Sequence, residues 1–113
     1  MTKKVNRPWG WYENLHEENG YKVKRLYIKP NEKISLQYHN HRNEHWVVVF
    51  GSGTVDLDDA VREVKVGDYI FVPLNFRHRV SGGNDGIMII EIQLGKICDE
   101  EDIVRIQDDY GRI

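Results

Sequence analysis

The sequence predicts a single all-β domain that closes as an antiparallel sandwich or jelly roll. Its 113 residues are enough for one domain and leave no length for a second. Turn-forming residues recur roughly every eight to twelve positions, a spacing typical of sandwiches and barrels. The segments between them are rich in β-branched and aromatic residues, and no sustained helical period appears before residue 99.

Turn signals divide the chain into short strands. Asn19-Gly20 is a hairpin dipeptide and Pro30-Asn31-Glu32 is a turn. The later turns are predicted at Gly51-Ser52-Gly53, Asp58-Asp59, Gly67-Asp68 and Ser81 to Gly86. The acidic run Asp99 to Asp102 suits the first turn of a helix over residues 99–106. The predicted strands cover residues 21–29, 34–39, 44–50, 53–57, 61–66, 69–73, 77–81 and 87–94.

Strand alternation sorts the side chains of two neighbouring segments. Residues two apart on a strand share a face, so Gln37 and His39 point the same way. On the next strand Glu44 shares a face with Trp46, Val48 and Phe50, while His45 shares the other with Val47 and Val49. Both faces of residues 44–50 are therefore apolar. Either a homodimer interface covers one of them, or the strand is buried on both sides within a tightly wrapped sandwich.

Composition excludes several classes of protein. A net charge of −2 and a pI near 6.2 argue against sequence-independent nucleic-acid binding, which requires a basic face. Cys98 is the only cysteine, so no internal disulfide framework is expected. No apolar segment follows the basic start, and the longest wholly apolar stretch, Trp46 to Phe50, is too short to cross a bilayer. We therefore expect a cytoplasmic protein with neither nucleic acid nor a membrane as partner.

Histidines point to a metal site. Four of the five lie in two clusters, residues 37–46 and 67–78. Imidazole nitrogens and carboxylate oxygens are the ligands that a borderline divalent cation such as zinc prefers, and three or four protein ligands make a site. The clusters supply His39, His41, His45 and His78, with Glu44 beside them.

The two clusters resemble the two motifs of the cupin superfamily, G-x5-HxH-x3,4-E-x6-G and G-x5-PxG-x2-H-x3-N. The second motif runs from Gly67 through Pro73 and Asn75 to His78. For the first motif, Gln37 and His39 on the HxH place Glu44 and Gly51 at the family spacing. This frame implies a metal shell of Gln37, His39, Glu44 and His78. The alternative shell is His39, His41, His45 and His78, and imidazoles are better ligands than an amide.

Within the cupins, the chain is similar to the C-terminal isomerase domain of bifunctional mannose-1-phosphate guanylyltransferase/phosphomannose isomerase, the type II phosphomannose isomerases. The matching segments include Arg7-Pro8-Trp9-Gly10, the string from Gln37 to Trp46, and the tail from Asp109 to Arg112. The sequence has no match to the nucleotidyltransferase domain, so guanylyl transfer is not carried over. Val80 to Gly83 departs from the family pattern after His78-Arg79 and leaves the substrate less defined.

The resemblance implies one cupin domain over residues 1–113, with a barrel core at 7–94 and a C-terminal extension at 95–113. It implies interconversion of mannose 6-phosphate and fructose 6-phosphate with a divalent metal. A shell containing Gln and Glu favours zinc, whereas an all-imidazole shell suits manganese or iron better. The expected partners are a small phosphorylated sugar and a second copy of the chain.

Such a reaction needs a general base and a phosphate site. Glu91 lies among Ile89, Ile90 and Ile92, where partial desolvation would raise the pKa of its carboxyl group; the alternative is a solvent-facing Glu91 that pairs with a basic residue. Guanidinium groups suit phosphate best, so Arg42 beside the ligands is the leading donor. The other donors considered are Lys33, Arg79 and Arg105, and the aromatic residues that either close the cavity mouth or pack as a plug are Trp9, Trp11 and Tyr12.

Two other functions stay open at this point. One is a non-catalytic module that binds a sugar or sugar phosphate. The other is a metal-dependent cupin enzyme that acts on a different sugar or as a dioxygenase. Cupin folds host many functions, so the fold by itself does not choose between them.

Overall fold

The computed structural model describes residues 3–58, 60–96, 98 and 100–111, which form one curled antiparallel sheet. Its strands are β1 (Lys4–Arg7), β2 (Gly10–Glu18), β3 (Tyr21–Ile28), β4 (Leu36–Tyr38), β5 (Arg42–Leu57), β6 (Ala60–Lys65), β7 (Tyr69–Val72), β8 (His78–Gly95) and β9 (Val104–Gln107). The all-β prediction is confirmed. Within the described ranges no helix is long and apolar enough to cross a membrane.

The sheet is organised around its two longest strands. One path runs β1-β2-β3-β8-β4-β9, and β5 pairs with β6, β7 and β8. Strands β5 and β8 pair along most of their length, from Arg42 opposite Gly95 to Leu57 opposite His78. Strands of this length twist and curl, and β4 pairs with the start of β8 at His78. The curl therefore brings the short strand β4 close to the start of β5.

Strands β5 and β8 each replace two predicted strands. The glycines at 51 and 53 were expected to end a strand, but the chain bends there and continues. Gly51 has a φ of 72°, and a Cβ on Gly53 would lie 2.0 Å from the carbonyl oxygen of Ser81. The register also shifts between Val48 and Phe50 and between Gly51 and Gly53. Such glycines and bulges bend a strand without breaking its pairing.

Other element predictions had mixed outcomes. The Asn19-Gly20 hairpin is confirmed, since Glu18 pairs with Tyr21 across it. Strands β1 and β2 were not predicted. The helix over residues 99–106 is wrong for the described part of that segment, because residues 100–101 form a turn that leads into β9. Asp99 and Asp59, which belong to the predicted helix and to a predicted turn, lie outside the described residues.

The inner face of the curled sheet holds the apolar core. Trp46 and Val48 are 2% and 1% exposed, whereas Val47 and Val49 on the other face are 41% and 43% exposed. The alternation predicted for residues 44–49 is therefore confirmed. Phe50 departs from it and is 49% exposed, because the bulge after Val48 turns its side chain outward.

The inner face changes from apolar to polar along three neighbouring strands. Register places Leu26 of β3 beside Ile89 of β8, which in turn faces Val48 of β5. The next row on this face, two residues away on each strand, consists of Lys24, Glu91 and Trp46. The polar end of this face opens into a cavity.

Candidate metal centre

A cavity of about 180 Å³ lies at the polar end of the inner face. Strands β3, β4, β5, β8 and β9 and the turn before β9 contribute to its lining. Trp9 and Tyr12 are buried and line it, as the sequence suggested for the N-terminal aromatic residues. Trp11 instead packs against Tyr27, with ring centroids 6.0 Å apart.

Three buried side chains converge beside this cavity. One ligand atom each from His39, Glu44 and His78 lies within 4.8 Å of the other two. The Nε2 atom of His39 is 3.2 Å from Oε2 of Glu44, and the rings of His39 and His78 have centroids 5.0 Å apart. We call these three residues the triad. It assembles because β8 begins at His78, β5 begins two residues before Glu44, and His39 directly follows β4.

Both imidazoles of the triad are held by backbone carbonyls. His39 donates from Nδ1 to the carbonyl oxygen of Asp102 at 2.5 Å, and His78 donates from Nδ1 to that of Phe76 at 3.0 Å. A proton on Nδ1 leaves the lone pair on Nε2 for a ligand. Nε2 of His78 is buried without a hydrogen-bond partner among the described residues. A buried acceptor without a partner is unusual in native proteins, and these residues fit a divalent cation.

Charge at the triad also suits a cation. Burial lowers the pKa of His39 to about 4 and also lowers the pKa of His78, so both rings are neutral at pH 7. Burial by itself would raise the pKa of Glu44, but His39, His78 and Arg42 hold it well below its usual range. Two neutral imidazoles and one carboxylate are the protonation states in which these groups ligate metals.

Arg42 and Trp46 hold the carboxylate of Glu44. Arg42 donates from Nε to Oε2 at 2.8 Å, and Trp46 donates from Nε1 to Oε1 at 3.0 Å. The guanidinium of Arg42 also places Nη2 3.3 Å from Nε2 of His39. Arg42 was predicted to be a phosphate donor. In the structure it lines the cavity, but its guanidinium is committed to the triad.

Gln37 lies next to the triad. It is the register partner of His78 across β4 and β8, and it lines the cavity. Its Oε1 accepts a hydrogen bond from the hydroxyl of Ser35 at 2.5 Å. Gln37 as a fourth ligand stays a prediction.

The alternative shell does not assemble. His41 is exposed. His45 lies on the outer face, where its Nδ1 is hydrogen-bonded to the hydroxyl of Tyr69 at 2.5 Å and its ring lies 4.8 Å from that of Phe71. Strand alternation is the physical reason, since an inward Glu44 requires the adjacent His45 to point outward.

Glu91 is buried and lines the cavity, so the solvent-facing alternative for this residue is wrong. Burial and the negative charge of Glu44 raise the pKa of Glu91 to about 8. Gln93 donates from Nε2 to Oε2 of Glu91 at 2.7 Å. An acid with a pKa near neutrality, next to three side chains that could hold a metal, has the properties of a catalytic base.

Sequence reasoning missed three polar residues of the site. Lys24 donates from Nζ to Glu100 at 2.9 Å and lies 4.1 Å above the ring of Tyr12. The signal for Lys24 was alternation along β3, which turns this lysine and Lys22 toward the interior. Glu100 and Asp102 belong to the acidic run that resembles the first turn of a helix.

Asp102 connects the turn before β9 to the triad. Its carboxylate accepts the backbone N–H of Asn40 through Oδ1 and that of His41 through Oδ2, each at 3.1 Å. Its carbonyl oxygen accepts the Nδ1 proton of His39. Asp102 therefore fixes the backbone on the C-terminal side of His39 as well as the orientation of its ring.

We expect Asp102→Ala to lower metal affinity about 10-fold, the lower end of the usual effect of disturbing a partner that orients a ligand. The variant keeps the carbonyl oxygen that accepts the Nδ1 proton of His39, but it loses both carboxylate hydrogen bonds to the backbone after His39, so the carbonyl and the ring are less firmly aligned. A competition titration against a chromophoric zinc chelator measures the change. Replacement of the exposed Asp85 with alanine is the matched control, and equal affinities for the two variants would contradict the role of Asp102.

Residues 1–108 match the family model described as mannose-6-phosphate isomerase C-terminal. The chain belongs to this family. It is 39% identical over 114 residues to mannose-1-phosphate guanylyltransferase ManC of Salmonella typhimurium, covering 100% of this chain and 24% of that protein. It is 40% identical over 111 residues to xanthan biosynthesis protein XanB of Xanthomonas campestris, covering 97% of this chain and 24% of that protein. The chain thus spans about a quarter of the length of these relatives.

Solved structures show the same fold. Oxalate decarboxylase from Bacillus subtilis superposes with a TM-score of 0.85 at 16% identity, over 93% of this chain and 30% of that one. KdgF from Halomonas sp. has a TM-score of 0.78 at 14% identity, over 84% of this chain and 89% of that one. Identities this low carry the fold alone. The cupin jelly roll implied by the sequence motifs is confirmed, and the chain belongs to a family of enzymes.

Proposed function

We propose that this domain interconverts mannose 6-phosphate and fructose 6-phosphate with the help of a divalent cation. The observation that carries the proposal is one cavity lined by His39 and Glu44 of the buried triad and by Glu91, whose carboxyl pKa is about 8. Membership of the mannose-6-phosphate isomerase family supports the choice of substrate.

An aldose–ketose isomerisation moves a proton between C1 and C2 through an enediol. A cation held by the triad, with Gln37 beside it, would polarise the sugar carbonyl and stabilise the negative charge that develops on its oxygen. Glu91 as a carboxylate takes the proton from C2 of the aldose and returns it to C1, while the hydroxyl proton on O2 passes to O1, so that the carbonyl moves from C1 to C2. A pKa near 8 suits this exchange, because both protonation states are then accessible near neutral pH.

Zinc is our proposal for the metal, ahead of manganese or iron. Two imidazoles and one carboxylate are a donor set that catalytic zinc sites use, and zinc does no redox chemistry. The reaction itself requires none, since the proton and the electron pair move within the sugar.

Proton NMR of the zinc-loaded protein with mannose 6-phosphate in deuterated water tests the activity. We expect fructose 6-phosphate to appear, with deuterium entering at C1 of fructose 6-phosphate and at C2 of recovered mannose 6-phosphate. The signal should be lost in a chelated sample and in His78→Ala, and kept in His45→Ala. No turnover by protein that demonstrably holds both metal and sugar would contradict the proposal, and would favour a binding module or an enzyme for another sugar.

We also propose that two copies of the chain pair through the outer face of β5, β7 and β8. This face carries large apolar side chains that are each 40–50% exposed, namely Val47, Val49, Phe50, Tyr69, Phe71, Ile92 and Leu94. Monomers rarely expose contiguous apolar patches beyond roughly 300–600 Å². Seven side chains of this exposure supply an apolar centre for an interface, and a standard interface buries roughly 800 Å² on each partner with its polar rim included. A twofold axis through this face would place the apolar face of one copy against the same face of the other.

Val47→Lys is expected to convert a dimer into a monomer, because it places a lysine from each copy in the apolar contact. Size-exclusion chromatography with light scattering measures the mass. The control is Val61→Lys on β6, where the valine is 72% exposed and lies outside the outer face defined above. A monomeric wild-type protein, or equal dissociation of both variants, would contradict the interface. The cytoplasmic location stays a prediction.

A further inference from the structure

Two of the four basic residues that line the cavity are paired with carboxylates. The four residues are Arg7, Lys24, Arg42 and Arg105. Lys24 is 2.9 Å from Glu100, and Arg42 is 2.8 Å from Glu44. Arg7, at the exposed rim, donates to the carbonyl oxygen of Asn6 and lies over the ring of Tyr12.

Arg105 differs from the other three. It is half-buried, and its Nε atom is buried without a hydrogen-bond partner. In the part of the chain that the structure describes, no ion pair or side-chain hydrogen bond joins Arg105 to another residue. A buried donor without a partner is costly, and a ligand that supplies the acceptor would offset that cost.

The sheet places Arg105 in line with the triad. Gln37 of β4 pairs with His78 on one side and with Arg105 of β9 on the other. Directly paired residues of antiparallel strands point to the same face, so these three side chains form one row. Neighbouring strands are about 4.8 Å apart, so the backbone at Arg105 lies roughly 10 Å from that at His78. A ligand that reaches the triad with one end can therefore reach Arg105 with the other.

The other phosphate donors that the sequence suggested are already engaged. Arg79 donates from Nε to the carbonyl oxygen of Ile34 and from Nη2 to that of Gln107, which fastens β9 to the barrel. Lys33 pairs with Asp109 at 3.3 Å. Neither Arg79 nor Lys33 lines the cavity.

We propose that Arg105 binds the phosphate of an open-chain sugar phosphate whose carbonyl end lies at the triad. This inference rests on the proposed function and adds the residue that selects a phosphorylated substrate over the free sugar. A guanidinium offers a planar fork of N–H donors that matches two phosphate oxygens. Because β9 is fastened by Arg79, the fork is presented from a fixed strand.

The test compares Arg105→Gln and Arg105→Lys with the wild-type protein. Isothermal titration calorimetry measures binding of mannose 6-phosphate, inorganic phosphate and unphosphorylated mannose to the zinc-loaded protein. We expect Arg105→Gln to weaken binding of mannose 6-phosphate about 10- to 100-fold, the usual cost of losing a charged hydrogen bond. Arg105→Lys keeps the charge without the fork and should fall between the two. Affinity for mannose and for zinc should not change.

Arg62→Gln on β6 is the matched control, since this arginine is exposed and does not line the cavity. Wild-type affinity for mannose 6-phosphate in Arg105→Gln, or an equal loss for phosphorylated and free sugar, would overturn the proposal. The same experiments separate the phosphate site from the isomerase reaction. Binding that depends on Arg105 without any turnover would support the phosphate site and contradict the reaction. Turnover by Arg105→Gln with an unchanged KM would support the reaction and contradict the phosphate site.

Discussion

His78→Ala is expected to abolish zinc binding and to reduce isomerase turnover to background. His78 is 1% exposed, and its Nε2 is the buried triad atom that lacks a partner among the described residues. Removal of one of three converging ligands leaves a carboxylate and a single imidazole, too few to hold the metal. The loss of affinity should exceed the roughly 10-fold effect of Asp102→Ala, because a ligand is lost, whereas Asp102→Ala only loosens the backbone around one. Metal content after gel filtration measures the outcome.

Two histidines provide matched controls for this experiment. His41→Ala and His45→Ala remove the same group from an exposed site and from the outer face, so both variants should keep zinc. His78→Gln retains more of the side-chain volume and separates loss of a ligand from loss of packing. Zinc binding that survives in His78→Ala but is lost in His45→Ala would reject the triad and restore the all-imidazole shell.

Glu91→Gln should lower kcat about 10²- to 10⁴-fold while zinc binding is retained. This range is the usual contribution of a general base, and the amide keeps the shape of the side chain without accepting a proton. Deuterium exchange at C2 of mannose 6-phosphate should fall in parallel, since the same group removes that proton. Glu63→Gln, at an exposed position on β6, is the control. A variant that loses zinc, or that keeps wild-type kcat, would remove Glu91 from the mechanism.

The same variant makes a prediction about stability in the metal-free protein. The pKa of Glu91 rises from 4.5 to about 8 on folding, chiefly because of burial. Between these pH values the unfolded chain has released a proton that the folded chain still holds. The free energy of unfolding therefore falls as pH rises from 4.5 to about 8. Glu91→Gln lacks this group, so its stability relative to wild type should rise across that window and level off above it.

Urea unfolding at several pH values measures the difference between Glu91→Gln and wild type. His39, whose pKa is lowered to about 4, contributes the opposite slope between that value and 6.5. Both proteins contain His39, so its contribution cancels in the comparison. A stability difference that does not change with pH would mean that Glu91 is already ionised in the folded protein.

Local patterns predicted the strands but not how the chain continues between them. The same Gly51-Ser52-Gly53 sequence can end a strand or bend one, and pairing with β8 selects the bend. Phe50 shows the consequence, because the bulge between Val48 and Phe50 turns its side chain to the face opposite the one that alternation predicted. Bulges depend on the partner strand, so a single strand's sequence does not specify them.

The functional site also has one part that the local sequence pattern predicted and another that only the fold decided. Alternation by itself placed Gln37 with His39 and separated Glu44 from His45, and the family motif added His78. That part rests on the two-residue period of a strand, which is a local property. Alternation and the motif together predicted the triad residues.

Tertiary structure alone decided what the neighbouring charged residues do. Arg42 holds Glu44, Asp102 orients His39, and Arg105 faces the cavity without a partner among the described residues. Asp102 is 63 residues from His39 in the chain, and Arg105 reaches the site only because β9 pairs with β4. In the sequence, an arginine that is exposed to solvent looks the same as one that is bound to a partner. Which contact each makes depends on the strand that lies beside it, and strand order is a property of the whole fold.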